Sequence, residues 1–155
     1  MAEVHIIGSL HGATGFPRSE LCCKWSLVSG DAWRLVEGEE TGQTHVDLPA
    51  VGWPKFHVEV FHQDMFGRNE LYGYGFVHVP TTPGVHQLDC VTWRPAGSLL
   101  DQLWAFFLGA TPQLRDPTLV HTATDRFRLT TVAMGKVHLE VGVVLRGFDG
   151  YGVAN

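Results

Sequence analysis

The chain has 155 residues, 45% of them hydrophobic and 17% charged, which suits one domain with a buried core and excludes a disordered chain. Eleven Lys and Arg against 16 Asp and Glu leave a formal charge of −5, without the cationic surplus that non-specific nucleic-acid binding needs. The first residues hold no basic stretch followed by an apolar core of signal length, and no 18 consecutive residues are all apolar, so a cytoplasmic location is expected.

Eighteen glycines and eight prolines fall in short clusters without a period, as turns between short strands would place them. Alternation of apolar and polar residues predicts strands over 3–10, 21–28, 32–36, 43–47, 55–62, 71–79, 86–92, 126–132 and 136–146. The last is the clearest: Val137, Leu139, Val141, Val143 and Leu145 alternate with Lys136, His138, Glu140, Gly142, Val144 and Arg146. Burying its apolar face contributes on the order of 1.5–3 kcal/mol per side chain before entropy is subtracted. Nine strands fit an antiparallel two-sheet sandwich.

One stretch has helical character. Ser98 can cap it with Asp101 three residues on, and Gly109 followed by Pro112 ends it. Its stripe of Leu100, Leu103, Trp104, Phe107 and Leu108 is widened by Leu99 and Phe106, so the helix either lies across a sheet or offers apolar surface to a partner. No repeat or linker divides the chain, and residues 1–155 are expected to form a single domain.

The search for chemistry returns no catalytic set and no cofactor site. His57 and His62 stand an odd number of residues apart on one strand and face opposite ways, and His5, His45, His78 and His138 fall on separate strands. No Gly-x-Ser-x-Gly elbow occurs, and Cys22 and Cys23 lie mid-strand without an evident base. With an odd count and a reducing compartment, Cys22, Cys23 and Cys90 read as small core hydrophobes and not as a disulfide framework. Gly73-Tyr74-Gly75 opens no helix, which leaves a bulge or a close strand contact as its role.

The stretch from Val60 to Gly73 resembles the acidic third loop of a C2 domain. At the carboxylate positions of that loop stand His62, Asp64 and Glu70, and the other acidic loop would supply only Glu20. Calcium takes six to eight oxygens, so this set falls short and no metal site is expected. What remains is a loop tip with Phe66 and Arg68, which either touches lipid headgroups or a protein, or folds Phe66 back onto the sandwich.

Three further segments carry a wider resemblance. They are the opening Met1-Ala2-Glu3-Val4-His5-Ile6-Ile7-Gly8, the run from Phe66-Gly67-Arg68 to Trp93-Arg94-Pro95, and the ending from Val137-His138-Leu139-Glu140 to Tyr151-Gly152-Val153. Together with Tyr72-Gly73-Tyr74-Gly75-Phe76-Val77-His78-Val79-Pro80 and Pro83-Gly84-Val85-His86-Gln87-Leu88, they resemble the B9-domain family over nearly the whole chain. The resemblance implies a C2-like antiparallel β-sandwich without enzymatic activity. It implies a scaffold subunit of the tectonic-like (Meckel syndrome) complex at the ciliary transition zone and basal body, supporting ciliogenesis and the barrier to ciliary membrane proteins. Its implied partners are the other two B9-domain proteins, with tubulin at the basal body and a membrane surface as further contacts. Expected partner surfaces are Leu99 and Phe106 on the helix, Lys136 and Arg146 on the last strand, and Phe148 and Tyr151 in the tail. One departure stands out: between Pro49 and Trp53 the chain passes almost directly onward, where the family pattern has an additional stretch about the length of a strand and a loop.

Overall fold

In the computed structural model, residues 2–30, 33–37, 41–42, 53–97, 113–116, 120 and 129–147 are described. Seven strands are formed among them: β1 (Glu3–Thr14), β2 (Leu21–Val28), β3 (Thr41–Gly42), β4 (Lys55–Gln63), β5 (Asn69–His78), β6 (Gly84–Pro95) and β7 (Thr131–Arg146). All pair antiparallel in one ladder of order β1-β7-β6-β5-β4-β2-β3.

The ladder folds back on itself where β5 meets β6, because those strands pair only at Tyr74 with Trp93 and Gly75 with Thr92. On one side lie β1, β7 and β6, and on the other β5, β4, β2 and β3. Between them is the core. Val137, Leu139, Val141, Val143 and Leu145 of β7 are all buried there with Phe56, Val58 and Val60 of β4, so the alternation of β7 faces inward as its sequence predicts. The result is an antiparallel sandwich.

Glycines allow the fold-back. A Cβ on Gly75 would stand 2.8 Å from Cys90 Sγ and 2.9 Å from the Val91 carbonyl oxygen, and one on Gly73 would stand 3.1 Å from Thr92 Cβ. The Gly73-Tyr74-Gly75 cluster is thus the close strand contact its sequence suggests. A bulge lies beside it. Val60 pairs with Gly73 and Phe61 with Leu71, which leaves Tyr72 as the extra residue. The bulge sends Tyr72 into the main core while Leu71 and Tyr74 face a second cluster with Val120, next to Phe61, Phe76, Trp93 and Leu114. The Leu114 amide donates to the Tyr74 hydroxyl at 3.2 Å and ties that outer segment down.

Several expectations shift. Residues 131 and 132, the end of the strand predicted over 126–132, belong to the same strand as 136–146, since 131–146 is one strand, while 126–128 lie outside the described residues. Gly135 sits where β7 bulges against β6, between Val91 paired with Lys136 and Trp93 paired with Ala133, and the Thr92 hydroxyl donates to its carbonyl at 2.8 Å. Residues 33–36 are not strand either. The Trp33 amide donates to Gly30 O in a turn at 2.8 Å, and its ring meets Trp53 edge-on at 5.6 Å, so local alternation there finds no partner strand. Cys22 is exposed, because neighbours on a strand face opposite ways and Cys23 takes the inward position. The predicted strand over 43–47 and the helix after Ser98, with Leu99 and Phe106, lie outside the described residues, as do Phe148 and Tyr151.

Candidate docking surfaces

The turn between β4 and β5 is built on Asp64. Its Oδ1 accepts from the amides of Phe66 and Arg68, both at 2.9 Å, and its Oδ2 accepts from Arg68 Nε at 2.7 Å. Gly67, at φ 77°, closes the turn by donating its amide to the Asp64 carbonyl at 2.9 Å. These bonds, the Arg68 amide first, hold the Asp64 carboxyl below its ordinary range. The carboxylate that a C2-type calcium site would use is therefore committed within its own loop. Among the described residues, no three His, Cys, Asp or Glu side chains gather as a metal ion would need.

The same bonds push the tip outward. Met65 is 92% exposed and Phe66 77%, with the Arg68 guanidinium 5.6 Å from the Phe66 ring centroid. Phe66 does not fold back onto the sandwich. The loop presents two apolar side chains beside a cation, a composition suited to a headgroup boundary or to a partner's groove.

A second surface occupies the solvent side of β1, β7 and β6. Gly142 of β7 pairs with Ile7 on one side and Val85 on the other, and both neighbours are 73% exposed. Val85 and Val144 border a shallow groove of about 420 Å³ whose floor lacks a side chain at Gly142. The sequence-predicted residues Lys136 and Arg146 lie along this strand, one toward each end of the face. Each has an ionic neighbour: Lys136 Nζ stands 3.0 Å from Asp89 Oδ2, and Arg146 reaches Glu3 at 3.6 Å. Sequence reasoning singled out these cations and missed the apolar row between them. The legible sign was Val144, an apolar residue in the outward register of an otherwise polar set.

Beside Lys136 runs a chain of polar groups. The lysine and then the His138 imidazole hold the Asp89 carboxyl below its usual value. His138 Nδ1 donates to Asp89 Oδ1 at 2.8 Å, since a carboxylate can only accept, and its Nε2 meets Thr14 Oγ1 at 2.8 Å. The order carboxylate, imidazole, hydroxyl is that of a nucleophile triad. Here the groups stand on a solvent-facing sheet, where water screens them and Lys136 neutralises the carboxylate, and they stitch β6, β7 and β1 together. The buried thiols are no better placed for chemistry, because desolvation pushes Cys23 and Cys90 up to about 12.

Comparison with known proteins decides the family. The profile described as "Ciliary basal body-associated, B9 protein" matches residues 4–51 and 48–144. The chain belongs to the B9 family. It is similar to B9 domain-containing protein 2 of Danio rerio, 52% identical over 173 aligned positions covering 99% of each chain, and to that of Homo sapiens at 48% over the same span. B9 domain-containing protein 1 of Xenopus laevis is 28% identical, with 92% of this chain and 84% of that protein covered. No solved structure matches. The alignments to the first two run over 173 positions against 155 residues, a difference of 18, and the two stretches of the B9 profile match overlap at 48–51. These two relatives therefore carry positions that have no counterpart in this chain, and the two stretches of the profile match meet beside the short passage from Pro49 to Trp53.

Proposed function

We propose that this B9 protein is a non-catalytic scaffold subunit of the tectonic-like complex at the ciliary transition zone. It assembles there with the two other B9-domain proteins and contributes to ciliogenesis and to the barrier that retains ciliary membrane proteins. The observation that carries the reading is full-length similarity to B9 domain-containing protein 2, joined by a more distant likeness to B9 domain-containing protein 1. The apolar row of Ile7, Val85 and Val144, with cations toward its ends, supplies a face of the kind that subunits bury against each other. Co-expression with the two paralogous B9 proteins tests it: co-purification in fixed stoichiometry is expected, and failure of the three to associate overturns it.

The exposed Met65–Phe66 tip beside Arg68 favours a second reading, contact with a membrane surface without calcium. Sedimentation with anionic vesicles is expected to be unchanged by chelator and lost in Phe66→Ala and Arg68→Glu. Binding that requires calcium would sink it.

A further inference from the structure

The cation at the β4–β5 loop tip is already engaged. Arg68 Nε stands 2.7 Å from Asp64 Oδ2, and with that pair the segment 64–68 carries no net charge. Breaking the pair to hand the guanidinium to a lipid phosphate would offset the gain from the new contact. The surroundings are balanced too. The Gln63 amide donates to Glu20 O at 3.1 Å and so brings the β1–β2 loop alongside, with Arg18 and Glu20 of opposite sign. Glu70, Arg18 and Arg94 all act on Tyr72 just below the tip. Among the described residues, Arg18, Arg68 and Arg94 thus stand against Glu20, Asp64 and Glu70, and the whole chain carries −5. An anionic surface meets no cationic surplus in that set.

The tip is nevertheless prepared to leave water. Met65 and Phe66 are largely exposed. The amides of Phe66 and Arg68 both donate to Asp64 Oδ1 at 2.9 Å, and the Gly67 amide donates to the Asp64 carbonyl at 2.9 Å. An unpaired donor costs free energy when it leaves water, so a turn whose amides are bonded internally enters an apolar boundary at little polar cost.

We propose that this tip enters a lipid surface as a preformed neutral wedge, selecting membranes by loose acyl packing and not by headgroup charge. The inference rests on the membrane reading above and names the kind of surface that reading leaves open. Two bulky side chains on a short turn reach the boundary between headgroups and acyl chains, where gaps in a curved leaflet admit them and a tightly packed leaflet does not. The Arg68 guanidinium, 5.6 Å from the Phe66 ring centroid, moves in with Asp64 as a pair and adds no charge.

The test is co-flotation of the full chain with vesicles of dioleoyl phosphatidylcholine, small and strongly curved in one arm, large in a second, and large with phosphatidylserine added in a third. Binding is expected to the small neutral vesicles, about tenfold weaker to the large ones, no stronger with phosphatidylserine, and unaffected by salt. Phe66→Ala should lower it about tenfold with an unchanged melting curve. Asp64→Asn joined to Arg68→Gln keeps an Oδ1 acceptor for the two amides, leaves the tip neutral, and should bind as the parent does. Asp64→Asn alone frees the guanidinium and should shift preference toward phosphatidylserine. Binding that needs phosphatidylserine, disappears with salt, or is equal on small and large vesicles would overturn the inference while leaving the membrane reading in place. Binding to none of the three would end both.

Discussion

Gly135 carries a constraint that its strand neighbours do not. A Cβ there would collide with the Thr14 carbonyl oxygen and meet the Phe16 ring at 2.5 Å, and a backbone oxygen cannot swing aside as a flexible side chain would. Gly135→Ala should therefore cost about 1–3 kcal/mol in chemical denaturation, the range typical of overpacking. Asp64 makes a prediction about pH. Its folded pKa is depressed, so its contribution is fully present above the ordinary value of 3.8 and is lost only as pH falls through the lower, folded value. The amide resonances of Phe66 and Arg68 should hold their positions as pH drops from neutral to the ordinary value and shift only in stronger acid. The thiols offer a third test at this scale. With Cys22 exposed and the thiols of Cys23 and Cys90 raised by burial, alkylation of the native chain near pH 8 should stop at one adduct by mass spectrometry.

Among the elements, β7 is the spine. It pairs with β1 on one side and β6 on the other, and its inward row meets Phe56, Val58 and Val60 across the core. Leu139→Ala removes part of that row where neighbours on both strands limit collapse, and a loss of about 2–5 kcal/mol is expected from the denaturation midpoint. Its outward row was read from the same alternation, which is why Lys136 and Arg146 lie where the sequence puts them. The bulge at Tyr72 shows where alternation fails as a guide. Strict period-2 reading would send Leu71, Gly73 and Gly75 one way and Tyr72 and Tyr74 the other. The extra residue instead divides Tyr72 from Tyr74, one for each hydrophobic cluster. Nothing within 69–78 announces that shift, because it depends on how β4 and β5 align.

For the whole molecule, folding and assembly should separate. Ile7 and Val85 are largely exposed, so Ile7→Asp and Val85→Asp should change stability by no more than about 0.5 kcal/mol, the usual scale for surface substitutions. If the β1-β7-β6 face carries partners, these variants lose co-purification with the other B9 proteins while melting as the parent does. Retained assembly in both would direct attention to the Met65–Phe66 tip.

The amino-acid sequence alone determined the all-β class, the limits of β2, the inward face of β7 and membership of the B9 family. These rest on local periodicity and on residue identity, which a linear chain displays directly. Tertiary structure decided that Asp64 serves its own loop, that Phe66 faces solvent, that Cys22 lies outside the core, and that Ile7, Val85 and Val144 adjoin across three strands. Each of those depends on register and fold-back, set by hydrogen bonds and packing between residues as distant as Thr14 and Gly135, and no local pattern encodes which of two faces such contacts will bury.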